Sequence, residues 1–565
     1  MLCFGYQIRN SLMLLCLGLL VHQMWIGLPQ CAAGDRTTFV IPQRSGDPTN
    51  APPDAVFADE ALQTRSLAWR GYIYVWKQHR AKPSDPTIRR FLGLPLTGVV
   101  QAKSKSGRSA PKFLNWRNGS YQQIDTPHFT IYSQADNASA KRIAEDLESC
   151  YWIWTQLFFP FWEGSLQVTA LMKDFTPGQN LIDYLNAKNA RITSRRKLRV
   201  VLFRDAAEYQ RSLAPKIPGI ERSTGFYSDS EKMTFLYADD NDAATRRHEL
   251  VHQLFRQASN SGLGRSSPGK LSNFWLVEGI AGYFESLHLA DGLATVGGWD
   301  SPRLQFARYR MLASGDSMQF DELASDGQER AQQQQDIARW YAHAIAQTHH
   351  FADCGDLQKR RWLYRQLADV YKIRTDIDGK QGDAVQRSLI GFLKINDALL
   401  KQSTIRHRVR TLCLSGCEVT GDGIGLLPAS DQITWLDLSR LPIGNADVTR
   451  LVTAPSSLRQ LTLEATRVDS GLAQWLSGAK NLRELDLSST PMNDSIIESI
   501  AGAANLQTLW MTGTKVTDAS IPIIANFKEL ESVDLQLTKV TAAGLSQLKN
   551  ARPKLQINPL ELRTQ

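Results

Sequence analysis

The apolar positions of this chain change their rhythm near residue 409. Beyond it, six units open at Val409, Ile433, Leu458, Leu482, Leu506 and Leu530, spaced by 24 or 25 residues. Three of them align as LRQLTLEATRVD, LRELDLSSTPMN and LQTLWMTGTKVT. Apolar residues alternate with polar ones over the first positions of each unit, which predicts a short strand with one buried face. The rest of each unit is long enough to return as a helix. The ninth position is Cys417, Leu441, Thr466, Thr490, Thr514 and Thr538 in turn, and a Thr hydroxyl there can satisfy backbone groups in the bend. Leu555-Gln556-Ile557 reads as a truncated closing strand.

Upstream the period is longer. Ile143, Leu147, Cys150, Tyr151, Trp154, Leu157 and Phe158 fall at helical spacing and predict a helix over 139–159. Phe129–Tyr132 and Leu198–Phe203 read as strands, with a helix over 205–213 after the second. Gly225-Phe226-Tyr227 is expected to turn into a strand over 232–237. Helices follow over 242–258, with Asp242 as N-cap, and over 274–289, 302–313, 330–351 and 357–371. The glutamine run 332–335 is expected to be a solvated helix start. Over 66–79 the pattern fits a helix or a strand pair equally, and order is expected to begin near Trp116.

The LxxLxL unit at this period resembles the leucine-rich repeat, and six units exceed the roughly three that a continuous core needs. Residues alternating with the leucines then line one face. Trp435, Asp437, Asp486, Trp510 and Asp534 on it form a candidate partner surface; a solvated spacer face is the other reading.

The chemistry concentrates in Arg247-His248-Glu249-Leu250-Val251-His252. Histidines four apart share one helix face, so both imidazoles can address one ion, and Glu249 can reach water bound to it. Hydrogen-bonded core histidines are the bland alternative. Catalytic zinc commonly takes three protein ligands and leaves one position open. Glu278, in the stretch Phe274-Trp275-Leu276-Val277-Glu278-Gly279-Ile280-Ala281-Gly282-Tyr283-Phe284-Glu285, is the candidate third ligand. Its small neighbours Ala281 and Gly282 are expected to let this helix approach the histidine helix closely.

HELVH followed by WLVEGIAGYFE resembles the gluzincin metallopeptidases, the peptidase-MA-like group in particular. The resemblance implies an α+β zincin-like domain, with His248, His252 and Glu278 binding Zn2+ and Glu249 acting as general base. It also implies an oxyanion-stabilising Tyr or His. Tyr341, in Trp340-Tyr341-Ala342-His343, is the first choice, with His343 pointing off that face. Glu285 is a candidate to orient a ligand. His349-His350 lacks ligand spacing and is expected to be exposed. No GxMEN signature is present, so the endopeptidase reading is preferred.

Composition narrows the setting. Arg9, the apolar run Leu12–Val21 and Cys31-Ala32-Ala33 read as a signal peptide over 1–33, a retained anchor being the alternative. Four cysteines follow it, Cys150, Cys354, Cys413 and Cys417, sparse and with no CxxC spacing, which argues against a disulfide scaffold and a thiolate zinc site. The net charge of +9 sits mostly in residues 35–120, which carry 14 Lys/Arg against 6 Asp/Glu. That region suits an anionic envelope surface or a solvated face, and no nucleic-acid motif accompanies it.

The expected organisation is a leader (1–33), a basic, partly flexible region (34–115), a zincin-like peptidase domain (116–400) and an α/β leucine-rich-repeat domain (401–565). The expected function is a secreted or envelope-bound zinc endopeptidase whose repeats bind substrate or a partner. The alternatives are an inactive peptidase fold serving as a repeat-based binding module, and a zinc hydrolase of non-peptide amides.

Overall fold

The computed structural model describes residues 42–43 and 67–559, apart from 95, 97–101, 163–170, 177, 193–195, 240–242, 260–266, 291–292, 376, 378–384 and 404–407. The expected leader, part of the basic region and the proposed N-cap Asp242 lie outside the described residues. No helix among those described is long and apolar enough to cross a membrane.

The chain divides into two compact units. Among the described residues, one comprises 42–43, 67–298 and 318–377; the other takes 299–317 and 385–559. Order precedes Trp116 in the first unit: α1 (Leu67–Ala81), α2 (Pro86–Leu92) and β1 (Lys103–Ser106) are formed. The open choice at 66–79 thus falls to helix.

The first unit is built on a six-stranded sheet. Its further strands are β2 (Gln122–Asp125), β3 (Phe129–Ser133), β4 (Leu198–Phe203), β5 (Gly225–Ser228) and β6 (Met233–Tyr237), in the order β1-β2-β3-β4-β6-β5. The centre is parallel, β3 with β4 and β4 with β6, and the flanks are antiparallel. The buried positions of β4 and β6 are apolar except Thr234, whose hydroxyl donates to Gln253 Oε1 at 2.9 Å, as suits strands covered on both faces. Gly225-Phe226-Tyr227 is therefore not a turn. It is part of the edge strand β5, paired back on β6.

Helices surround the sheet. α3 (Asn137–Leu157) starts where the Asp136 carboxylate accepts from the amides of Ala138 and Ser139, both at 2.9 Å. α4 (Ala206–Leu213) follows β4, and α5 (Ala243–Ala258) follows β6. α6 (Phe274–Phe284) is buried along its whole length. It ends five residues earlier than its apolar pattern suggests, because His288–Ala290 pairs as a strand with Leu293–Thr295.

In the second unit, α7 (Pro302–Arg308) is short and runs into a π-turn over Tyr309–Ala313. Returning to the first unit, α8 (Ile337–Asp353) and α9 (Leu357–Val370) complete its helices. The glutamine run does not start α8. Gln332 ends a short helix, and Gln333 to Gln335 link it to α8.

The second unit contains β7 (Thr411–Cys413), β8 (Trp435–Asp437), β9 (Gln460–Thr462), β10 (Glu484–Asp486), β11 (Thr508–Trp510), β12 (Ser532–Asp534) and β13 (Gln556–Asn558). They pair in parallel and in chain order as one seven-stranded sheet. Leu412, Leu436, Leu461, Leu485, Leu509, Val533 and Ile557 align across it as one buried row. After each of the first six strands one residue adopts positive φ: Gly416, Arg440, Ala465, Ser489, Gly513 and Leu537. The hydroxyls of Thr466, Thr490, Thr514 and Thr538 donate to the carbonyls three residues back, at 2.5–2.7 Å.

Residues 299–317 belong to this second unit rather than to a domain ending at 400, because α7 closes the edge of β7. Gln305 Oε1 accepts from the Cys413 amide at 3.0 Å, and Arg308 Nε donates to the Leu393 carbonyl at 2.9 Å. Cys150, Cys354, Cys413 and Cys417 are all free.

The partner-face expectation needs correction. Trp435, Asp437 and Asp486 are buried. Trp435 meets the ring of Tyr309 edge-on. Asp437 accepts from the Ser439 amide, Asp486 from the Ser488 amide and Asp534 from the Gln536 amide, at 2.9–3.0 Å. An acid ending a short strand is well placed to take the amide two residues on, so these carboxylates close turns. Trp510 and Asp534 alone of the five keep part of their surface.

Candidate metal centre

α5 carries His248 and His252 one turn apart, their rings 4.8 Å between centroids and nearly perpendicular. Leu250, Val251, Leu254 and Phe255 are buried around them, which fixes the rotation of the helix. α6 brings Glu278 against both rings. His248 Nε2 lies 3.3 Å from Glu278 Oε2, and His252 Nε2 lies 3.8 Å from Glu278 Oε1. One ligand atom from each of the three residues can be chosen so that all lie within 4.8 Å of one another. The histidine side chains keep 13% of their surface, so the cluster is sheltered without being sealed.

This donor set fits zinc. Two imidazoles and one carboxylate are a known three-ligand catalytic combination, and ligand atoms about 2.0–2.2 Å from a tetrahedral ion stand about 3.3–3.6 Å apart. His248 Nδ1 sits 2.9 Å from Glu285 Oε1. That carboxylate accepts from Nδ1–H, which leaves Nε2 as the nitrogen turned toward Glu278.

Glu249 lies on the same helix and is held from the sheet edge. The Tyr227 amide on β5 donates to Glu249 Oε2 at 2.8 Å. Gly225 makes room for this contact: a Cβ there would stand 2.8 Å from the Thr245 methyl and 3.0 Å from Glu249 Cγ. The Thr224 and Thr245 hydroxyls meet at 2.9 Å, and Arg256 Nε donates to Asp229 Oδ1 at 2.5 Å. β5 is therefore strapped to α5 at three points.

Tyr341, on α8, hydrogen-bonds Glu278 through its side chain. Its approach depends on the small residues of α6, which serve a different neighbour from the one the sequence suggests. A Cβ at Gly279 would stand 2.1 Å from Thr348 Oγ1 and 2.8 Å from the Ala344 carbonyl, and one at Gly282 would stand 2.6 Å from Ile345. Gly279 and Gly282 thus serve the packing of α8, while Glu278 on the same helix faces the histidines. Helical periodicity shows that a face is small but not which neighbour uses it.

The remaining histidines of α8 are spent in the core. His343 Nε2 accepts from the Met318 amide at 2.9 Å. His349 and His350 are buried rather than exposed: His349 Nδ1 meets Asp353 Oδ2 at 3.2 Å, and His350 Nε2 meets Lys359 Nζ at 3.1 Å.

The electrostatics of the cluster follow from shared burial. Burial opposes charge on His248, yet its bonds to Glu278 and Glu285 outweigh that and raise its pKa to about 10. Burial lowers His252 to about 4 against the pull of Glu278. Glu249 is raised to about 7 by burial, helped by Glu278 and Glu285 and opposed by His248 and the Tyr227 amide. Burial works against the Glu278 carboxylate too, but His252, His248 and Tyr341 hold it below the ordinary range. A base poised near neutrality beside a fixed carboxylate is an arrangement suited to proton transfer.

Residues 242–363 match the family model described as a protein of unknown function (DUF1570). No curated protein matches the chain. The DUF1570 segment contains His248, Glu249, His252, Glu278, Glu285 and Tyr341, and so spans the cluster from α5 into α9. One group that holds Glu249 lies outside it, the Tyr227 amide on β5. It is not marked in the sequence, because a backbone amide carries no residue signal.

Proposed function

We propose that the first unit is a zinc-dependent peptidase that hydrolyses peptide bonds within protein substrates. The observation that carries this reading is the convergence of His248, His252 and Glu278 ligand atoms within 4.8 Å, with Glu249 on the helix that carries the two histidines. Zinc held there supplies Lewis acidity, polarising a carbonyl and lowering the pKa of water to about 7. Glu249 Oε2 is occupied by the Tyr227 amide, so Oε1 is the oxygen that accepts a proton from the attacking water and returns it to the leaving nitrogen. Tyr341, at Glu278, is the hydroxyl that donates to the developing oxyanion.

The 24-residue units of the second unit are read as leucine-rich repeats that bind a protein substrate or partner, with Trp510 and Asp534 as the accessible part of the earlier surface. Residues 1–33 are read as the export signal that brings the chain to the envelope or beyond it.

Purified full-length protein should contain about one zinc per chain and cleave casein, while Glu249→Gln should keep the zinc and lose about 10²–10⁴-fold in turnover. Zinc bound without turnover in the wild type would move the assignment to an inactive peptidase fold acting through its repeats. No zinc at all would end the hydrolase reading.

A further inference from the structure

One acid stands behind the site without touching it. Asp146, on α3, receives Arg247 Nη2 at 2.7 Å and Arg247 Nε at 3.2 Å on a single oxygen, and Arg246 Nε reaches its other oxygen at 3.4 Å. Both side chains of the Asp146–Arg247 pair are largely buried, at 14% and 13% exposed. Arg247 uses its remaining terminal nitrogen, Nη1, on the Leu287 carbonyl. Leu287 lies two residues past Glu285, between the turn that follows α6 and the strand opening at His288.

These contacts form a closed arrangement. Arg247 and His248 are consecutive on α5. His248 Nδ1 is bonded to Glu285, while Arg247 grips the backbone just beyond that same glutamate. A guanidinium serving a carboxylate and a carbonyl at once is fixed in direction only while both partners are present, since its planar fork spends different N–H groups on each. Removing the carboxylate frees the guanidinium to swing, and the turn carrying Glu285 loses its tie to α5.

We infer that Asp146 is a positioning residue of the proposed metal site: through Arg247 it fixes the end of α6 and so holds Glu285 on His248. The inference rests on the zinc reading given above. It adds a group from a helix outside the DUF1570 segment, about one hundred residues upstream of the histidines. A purely structural ion pair would affect folding stability and leave metal affinity alone.

The test is zinc affinity, by competition with a chromophoric chelator, on full-length wild type, Asp146→Asn, Arg247→Lys and Glu148→Gln. All are measured where circular dichroism shows the native state. Glu148 is the control: it lies on α3 two residues from Asp146, is more deeply buried, and is bonded to His128 at 2.7 Å away from the cluster. Asp146→Asn and Arg247→Lys should bind zinc on the order of tenfold more weakly, as losses of outer-shell partners do, and Glu148→Gln should stay within about twofold of wild type. If Asp146→Asn does not fold, Arg247→Lys decides, because it keeps the charge and loses the fork. Wild-type affinity in both folded variants would overturn the inference, as would an equal loss in Glu148→Gln. A wild type that binds no zinc identifies failure of the metal reading itself, and the positioning role falls with it.

Discussion

His248 Nδ1 lies 2.9 Å from Glu285 Oε1, and this one contact determines which nitrogen of the ring faces Glu278. Glu285→Gln keeps the shape of the side chain but replaces an ionised acceptor with a neutral amide. The variant should remain folded and bind zinc about 10–100-fold more weakly. Chelator competition checks it, and wild-type affinity would show that the orientation of His248 is set elsewhere.

Metal uptake should release a proton. In the metal-free protein His248 stays charged up to about pH 10, whereas His252, lowered to about 4, is already neutral above pH 5. Zinc binds neutral imidazole, so His248 must lose its proton on binding. The sign is fixed: affinity rises with pH below about 10, by up to about tenfold per unit. Calorimetry in buffers of different ionisation enthalpy should give at least one proton released per zinc at pH 8, one from His248 and a further share from water on the metal. No release, or uptake, would contradict the charge state assigned to His248.

Gly279 governs the seat of Tyr341. A methyl at this position would press on Thr348 Oγ1 and, less forgivingly, on the Ala344 carbonyl at 2.8 Å. Gly279→Ala should therefore force α8 away and cost about 1–3 kcal/mol, as overpacked cores do. Tyr341 rides on α8, so turnover should fall by more than zinc affinity does. Thermal unfolding, chelator competition and casein cleavage on one preparation separate the three effects; unchanged stability would show that the helices yield freely.

The repeating turn of the second unit offers a stabilising change. Leu537 has φ 55° and is 83% exposed, a conformation that disfavours a Cβ and a place where the side chain is poorly covered. Gly occupies the equivalent position at Gly416 and Gly513. Leu537→Gly should stabilise this unit by about 0.5–1 kcal/mol, since relief of left-handed strain exceeds the entropy that glycine adds to the unfolded chain. A denaturant midpoint that fell instead would mean that the leucine packs usefully.

Local spacing made part of this arrangement legible. His248, Glu249 and His252 share a helix, so their relative placement follows from 3.6-residue periodicity. The strands of the second unit recur with the 24-residue period because each unit can bury its leucines only against the next. Contacts between distant elements were not legible. Helix α6 presents a small face, but only the packed structure shows Gly279 and Gly282 against α8. His349 and His350 look solvent-exposed as a pair in sequence, yet α8 is buried on the sides that carry them. Asp437 and Asp486 alternate with leucines as a surface acid would, and are taken inward by the turn that follows each strand. Asp146 and the Tyr227 amide act on the site from elements with no recognisable motif.

The most direct test of the metal centre is a crystal structure of the full chain grown with zinc, with anomalous data collected on both sides of the zinc absorption edge. The account predicts a single strong peak about 2.0–2.2 Å from His248 Nε2, His252 Nε2 and a Glu278 carboxylate oxygen. A peak held by other side chains, or none between these three, would contradict it.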